Sequence, residues 1–334
     1  MIKFIDFGKF YKKIRKEILK EIDRVLLAGD LILRKDTEIF EKQLAKFVGM
    51  KYVCGLNSGT DALFLSLKAA GIEQGDEVIT SDYTFIATHE AIINCGAKLV
   101  LVDYNDNFLI DENKIEEKIT KKTKAIIPVH IAGAVCNMDK IMEIAEKYNL
   151  IVIEDACQAI GAKGLGRGLT TCFSHYPAKI LGAYGDAGSV CSNDEKIIDR
   201  IKLLRNHCEG VDFGFNSRLD NLQAAILNVK FKYLRGWLKR RKEIARIYDK
   251  ELKNIFQIKL PLKREIYQDY ILSVENREEL KNYLEKNGVE TLIGKYNLSS
   301  RRGKDLRLPC NPDLTNKEIM CVCNLIKKFN FKEV

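Results

Sequence analysis

Lys179 stands in the run Phe173-Ser174-His175-Tyr176-Pro177-Ala178-Lys179-Ile180-Leu181-Gly182-Ala183-Tyr184-Gly185-Asp186-Ala187-Gly188. One amine is set there among aromatics, a serine and several glycines. Upstream, an apolar strand ends in an acidic pair, Ile151-Val152-Ile153-Glu154-Asp155, and Gln158 follows shortly after. A lysine that acts as a nucleophile needs a depressed pKa or a covalent partner. A buried aspartate needs a cation to face. Pyridoxal 5′-phosphate (PLP) meets both needs. Its aldehyde takes a lysine as a Schiff base, and its pyridinium nitrogen takes a carboxylate. The plain alternative is a surface lysine and a strand-end aspartate that never meet, since such aspartates are common on open α/β sheets.

Other residues bear on the same choice. Ser58-Gly59-Thr60 precedes a helical pattern that begins at Asp61. A helix N-terminus offers free N–H groups and the positive end of a dipole, a natural seat for a phosphate. An ordinary N-cap explains the same residues, because Ser, Thr and Asp all cap well. Phe85, in Tyr83-Thr84-Phe85-Ile86-Ala87-Thr88, could stack on a flat ring or belong to the core. His130 follows Pro128-Val129 at a strand end. It is a candidate site residue, or equally a histidine satisfied behind the site, with one donor and one acceptor to place.

Four segments follow one another in order: Asn57 to Leu63, Asp155 to Gly161, Lys179 to Gly188, and Asn216-Ser217-Arg218-Leu219-Asp220. Together they resemble the PLP-dependent nucleotide-sugar aminotransferases of the DegT/StrS type. The resemblance runs from about Phe4 to about Arg246, with a weaker match at Leu308-Pro309 and Pro312-Asp313-Leu314-Thr315. It implies an α/β, fold-type-I PLP transferase, with a large mostly parallel sheet domain and a small C-terminal α+β domain. It implies Lys179 as the catalytic residue, holding the resting cofactor and then shuttling a proton. Gly59, Thr60 and Ser174 would serve the cofactor phosphate. Phe85 would cover the pyridine face, Asp155 would face the ring nitrogen, and Gln158 the ring oxygen. Asn216 would reach the phosphate of the second subunit, so the enzyme would be a homodimer with shared sites. His130 and Tyr184 are taken as substrate-side residues, and no metal is expected.

The activity implied is transfer of an amino group, with L-glutamate as donor, to a keto carbon of a nucleotide-linked deoxysugar. The run Leu181 to Gly188 is more like members acting on dTDP- or UDP-linked 3-keto sugars than members acting on 4-keto sugars. Some relatives carry histidine in place of the lysine and dehydrate, so lysine here favours aminotransfer. A PLP-dependent dehydratase or lyase on the same fold is the first alternative. A PLP-binding regulator without turnover is the second. Two stretches are shorter than in relatives: Ala162 to Cys172, and Gly288 to Leu308, which here contains Glu290-Thr291-Leu292-Ile293-Gly294-Lys295-Tyr296-Asn297. Substrate contacts made by those stretches in relatives therefore do not carry over.

These residues need a scaffold, and the pattern supplies one. From residue 52, short apolar strands alternate with helices of ten or so residues, which points to βαβ units and a mostly parallel sheet. Strands are expected at Glu77–Thr80, Lys98–Val102, Ala125–Val129 and Leu150–Glu154. Helices are expected at Tyr11–Leu27, Lys35–Val48, Asp61–Ala70, Ala87–Asn94, Asp111–Ile119 and Met138–Tyr148. Asp82 to Phe85, His130 and Asp155 then fall beyond the carboxyl ends of strands, where such sheets bind ligands. A long helix, Leu222 to Leu252, is expected to break near Gly236. A strand at Tyr267–Val274 and helices at Arg277–Asn287 and Asn316–Phe329 follow. The division expected is a large cofactor domain, 1–235, and a small domain, 236–334.

The 334 residues are 46% hydrophobic and 30% charged, values of a globular chain. No apolar run is long enough to span a bilayer, and the N-terminus lacks signal-peptide organisation. Ten scattered cysteines suit reduced thiols in cytoplasm better than disulfides or zinc. The net charge of +9 is compatible with nucleic acid, acidic lipid or an anionic small substrate and does not by itself choose among them. The densest basic cluster, Lys230 to Lys242, repeats apolar residues at helical spacing and reads as a solvated helix face. No nucleic-acid module accompanies it.

Overall fold

The structure is a computed structural model and describes residues 1–210, 213–262, 264–294 and 303–331. Two helices come first, α1 (Phe7–Ala28) and α2 (Lys35–Val48). Strands and helices then alternate: β1 (Tyr52–Leu56), α3 (Gly59–Ala69), β2 (Glu77–Ser81), α4 (Ile86–Asn94), β3 (Lys98–Val102), β4 (Thr123–Ile127), α5 (Met138–Tyr148) and β5 (Ile151–Asp155). Next are β6 (Thr170–Ser174), β7 (Gly188–Ser192), α6 (Glu195–Arg205), α7 (Asn221–Phe231) and α8 (Leu234–Leu252). The chain ends with β8 (Ile258–Lys259), β9 (Tyr270–Val274), α9 (Arg277–Lys286), β10 (Asp305–Leu308) and α10 (Asn316–Lys328).

β1 to β7 form one sheet in the order β1-β7-β6-β5-β4-β2-β3. β3, β2, β4, β5 and β6 pair in parallel, and only β7 runs against its neighbours. β2 is buried at every residue and β5 at all but its first. A parallel sheet covered by helices on both faces needs such unbroken burial. β8, β9 and β10 form a separate antiparallel sheet. It has its own core, which includes Tyr248 and Leu252 of α8, Leu272 of β9, Leu280 of α9 and Val322 of α10. The N-terminal segment ties the two parts together. Ile2 pairs with Val289 in a parallel bridge, and Asn311 Nδ2 donates to the Phe4 carbonyl at 2.9 Å.

Several expectations change. Asp111–Ile119 is not an α-helix but two short 3-10 turns, Glu112–Lys114 and Glu116–Lys118. Asp111 caps the first turn by accepting from Asn113 N–H, and the capped turn does not propagate. The long helix breaks at Lys232-Tyr233, between α7 and α8, not at Gly236. Gly236 lies inside α8, where a glycine costs only about 1 kcal/mol and packing outweighs it. The strand expected from Tyr267 begins at Tyr270. In the basic cluster, Lys230 and Arg241 are not solvated but 3% and 5% exposed.

Candidate active site

β5 carries its last residue, Asp155, to the carboxyl edge of the sheet. Asp155 Oδ2 accepts from the Thr88 hydroxyl at 2.8 Å, and Oδ1 accepts from the Cys157 N–H at 3.1 Å. Thr88 is in turn 2.8 Å from the Thr84 hydroxyl. Thr88 lies in the first turn of α4, and Thr84 stands just before the Phe85 N-cap of that helix.

Across the sheet, Ser58 caps α3 by accepting from Asp61 N–H at 3.0 Å. The first N–H groups of the helix have no intrahelical acceptor and sit at the positive end of its dipole. Gly59 is required by close packing. A Cβ there would lie 2.7 Å from Ser174 Cβ and 3.0 Å from Cys157 Sγ. Gly188 is required more strictly, since a Cβ would lie 2.1 Å from the Ser58 carbonyl oxygen. The two glycines let β6, β7 and the α3 N-terminus meet at one point.

Lys179 lies on the turn between β6 and β7. His175 pins that turn from inside. Its Nδ1–H donates to the Leu181 carbonyl at 3.0 Å, and its Nε2 accepts from the Ser189 hydroxyl at 2.9 Å. Burial pushes the imidazole down to about 4. A neutral ring is what a donor and an acceptor demand. Lys230 supports the turn from the other side, with Nζ donating to the Gly182 carbonyl at 2.5 Å. Burial lowers this amine to about 7.

These elements enclose a cavity of about 450 Å³. Gly59, Thr60, Phe85, Asp155, Gln158, Ser174 and Lys179 all line it. Phe85 is not a core residue: it is 53% exposed at this wall. Gln158 Oε1 accepts from the Ala132 N–H at 2.9 Å, which turns its amide NH₂ into the free donor. Ser174 Oγ accepts from the Tyr176 N–H at 3.3 Å, so its own hydrogen can be given elsewhere. The donor set matches PLP group by group. N–H groups and hydroxyls suit a phosphate, an amide donor suits a ring oxygen, a carboxylate suits a pyridinium, and an amine suits an aldehyde.

Three expected residues are not in this wall. His130 is fully buried, with Nδ1 accepting from the Cys136 N–H at 3.2 Å and Nε2 donating to Glu154 at 3.1 Å. Both ring nitrogens are thus engaged behind the cavity. Tyr184 packs with Ile14, Ile18 and Ile226, its ring 3.6 Å from Lys230 Nζ. Its hydroxyl is buried without a hydrogen-bond partner among the described residues. Asn216 is exposed and lies outside the cavity of its own chain. Its neighbour Ser217 donates to Asp61 on the first turn of α3 at 2.6 Å. Lys295, Tyr296 and Asn297 of the shortened segment fall outside the described residues.

The wall also includes residues that the sequence did not single out: Thr88, Cys157, Asp186, Gln268, Asp269 and Arg307. Thr88 had a usable signal, its position four residues after Thr84 beside Phe85. Gln268, Asp269 and Arg307 come from the C-terminal sheet, where no motif marked them.

An α/β chain that brings a lysine, a strand-end aspartate and a capped helix N-terminus onto one cavity has the architecture of a fold-type-I PLP enzyme. Comparison with known proteins gives the narrower class. The chain belongs to the DegT/DnrJ/EryC1/StrS aminotransferase family, which it matches over residues 12–303. It is 43% identical to the dTDP-3-amino-3,6-dideoxy-alpha-D-galactopyranose transaminase of Aneurinibacillus thermoaerophilus, over 88% of this chain and 85% of that one. It is 36% identical to a protein of Geobacillus stearothermophilus called pleiotropic regulatory protein, over 87% of this chain and 83% of that one. The X-ray structure of S. venezuelae DesV superimposes with a TM-score of 0.93 at 32% identity, covering 98% of both chains. The protein is an aminotransferase, and its cofactor is PLP.

Proposed function

We propose that the protein transfers an amino group from L-glutamate to the keto carbon of a nucleotide-linked deoxysugar, a dTDP- or UDP-linked 3-keto sugar. The observation that carries this reading is the shared cavity of Lys179 and Asp155, in a chain 43% identical to a dTDP-sugar transaminase. The run Leu181 to Gly188 favours the 3-keto class.

PLP bound in the cavity supplies an electron sink that makes a C–H bond beside nitrogen labile. The protein's own residues do the rest. The α3 N-terminus, Thr60 and Ser174 hold the phosphate. Phe85 covers one face of the ring. Asp155, fixed by Thr88 and the Cys157 N–H, faces the ring nitrogen. Gln158 donates to the ring oxygen. Lys179 Nζ anchors the cofactor at rest, and its free amine then moves a proton to or from the substrate carbon.

Residues 1–235 act as the cofactor domain and 236–334 as the small domain in this reading. Two chains form a homodimer, with Asn216 of each serving the other's phosphate, and the enzyme works in the cytoplasm. His130 acts through Glu154 and not by touching the sugar. Tyr184, whose buried hydroxyl lacks a partner among the described residues, is left as a substrate-side residue of the assembled dimer. A lyase on the same cofactor is the competing activity. A regulatory role is the second, suggested by the name of the Geobacillus stearothermophilus relative.

The test is to incubate the purified enzyme with glutamate and a panel of keto-sugar nucleotides. An amino sugar formed with stoichiometric 2-oxoglutarate is the expected outcome. Sugar turnover without any amino acid would instead identify a lyase, and no turnover with any pair would favour the regulator.

A further inference from the structure

Gln268 stands just before β9, is buried, and lines the cavity. Its side chain grips the backbone on both sides of Lys179. Nε2 donates to the Ala178 carbonyl at 3.0 Å, and Oε1 accepts from the Ile180 N–H at 3.0 Å. A side-chain amide carries a donor and an acceptor, so it can meet a carbonyl and an N–H at once.

The backbone of Gln268 is fixed as well. Its N–H donates to the Ala132 carbonyl at 3.1 Å, and its carbonyl accepts from Arg241 Nη1 at 2.7 Å. Gly133 permits this close approach. Its φ is +93°, and a Cβ there would lie 2.6 Å from the Ile266 carbonyl oxygen. The Ala132 N–H is the one that Gln158 Oε1 accepts, at 2.9 Å. Hydrogen bonds through the Ala132 backbone therefore join Gln158 to Gln268, and through Gln268 to the peptides around Lys179.

The lysine segment needs such a grip. Ala178 and Lys179 border the main cavity, and both also border a second cleft of about 50 Å³ beside Phe10 and Trp237. A segment between two openings lacks partner atoms there, so its hydrogen bonds do more to fix it. His175 and Lys230 hold the turn further on, at the carbonyls of Leu181, Gly182 and Ala183. Gln268 holds it at the lysine itself. Misplacing a reacting group by about 1 Å can cost about 100-fold in rate.

We propose that Gln268 is a positioning residue for Lys179. Reaching over from the C-terminal sheet, it fixes the backbone that carries Nζ and ties that backbone to Gln158. The inference rests on the reading that Lys179 bears the cofactor.

Gln268→Met, close in size, removes both bonds and tests the proposal. Hydrogen exchange read by mass spectrometry, on apoprotein and holoenzyme, reports the grip directly. The peptide covering 176–183 should exchange about tenfold faster, the scale of a lost hydrogen bond, while α5 keeps its wild-type rate. The visible absorbance of the PLP–lysine linkage reports the consequence. Its pH midpoint should move by about half a unit or more, and kcat should fall about tenfold or more with little change in KM. Gln268→Glu, ionised at about pH 8, keeps an acceptor for Ile180 but has no N–H for Ala178. It should show the same changes to a smaller extent, and it is the second route if Gln268→Met does not fold. The proposal is overturned if a folded variant exchanges over 176–183 as wild type does. It is equally overturned if exchange there rises while the absorbance midpoint and kcat stay unchanged, because the grip would then be structural only. A rise in exchange spread evenly over the molecule overturns it as well. Failure of the cofactor reading would show separately in the wild type, as borohydride label on a lysine other than Lys179.

Discussion

Glu154 and Asp155 are neighbours in the chain, yet their carboxylates serve opposite faces of β5. Successive strand residues point to opposite sides, and here the alternation divides structure from chemistry. Asp155 meets the cavity. Glu154 is fully buried on the other side, accepting from His130 Nε2 and from the N–H groups of Gly166, Arg167 and Gly168. Burial alone would raise the Glu154 carboxyl. Bonds from His130 and those backbone groups outweigh it and hold the group below the usual carboxylate range.

Asp155→Asn should separate activity from folding. The amide is nearly isosteric and can still meet Thr88, so the thermal midpoint should stay within a few degrees of wild type. The charge proposed to face the ring nitrogen is lost, so kcat should fall by about 100-fold or more. Wild-type turnover in the variant would remove the electron-sink role of this residue.

Glu154→Gln should do the reverse. It replaces an acceptor of four N–H groups by one that presents an NH₂ to some of them. We expect a loss of roughly 1–3 kcal/mol in stability, read from urea unfolding, with the 166–168 loop becoming the first site of proteolysis. Unchanged stability would mean that this network contributes nothing net.

Lys179 should carry the cofactor covalently. Purified protein should be yellow, and borohydride should fix PLP to this lysine, as peptide mass analysis would reveal. Lys179→Ala should retain PLP through phosphate and ring contacts but lose transfer activity, because the shuttling amine is gone. Label on any other lysine would end the assignment.

The order of elements was legible in the sequence because burial imposes periodicity. Lys98–Val102 and Met138–Tyr148 have the bounds that their patterns predict. The 3-10 turns after Asp111 were not legible, because two capped turns and one short helix share the same composition. In the site, Lys179, Asp155 and Gly59 are visible because their chemistry forces residue type and spacing. Arg307 and Asp269 are not, since they reach the cavity from a separate sheet and a lone arginine on a strand carries no motif. The place of His130 follows from the orientation of Glu154, which strand periodicity alone could have suggested.

His175 sets a pH window. Its folded value lies at about 4, pushed down by burial, against about 6.5 when unfolded. Between those values the unfolded chain binds a proton that the folded one refuses. The contribution is therefore fully present above about pH 6.5 and is lost as pH falls toward 4, about 3 kcal/mol in all. His175→Gln should flatten the stability profile across that window, and the other histidines cancel in the comparison. Parallel wild-type and variant profiles from urea unfolding at half-unit steps would sink the assignment.

Asn216 offers the sharpest test of assembly. It is exposed and outside its own cavity, while its neighbour Ser217 is tied to the first turn of α3. A residue that lies beside the proposed phosphate seat without entering its own cavity is suited to serving a second copy across a two-fold axis. Closed two-fold symmetry makes both sites identical, each built from two chains. Lys179→Ala and Asn216→Ala subunits should each be impaired alone. In a mixed dimer both lesions fall in one site when each site takes its lysine from one chain and its asparagine from the other, and the second site is then intact. Up to a quarter of wild-type activity per total subunit is expected after equal mixing, since about half of the dimers are mixed and each has one of two sites restored. Light scattering should give the mass of a dimer, and mass spectrometry of tagged subunits should verify exchange. Activity no higher than in either parent, with exchange verified, would place the action of Asn216 within its own subunit. A stable monomer holding a full complement of PLP would contradict the shared site altogether.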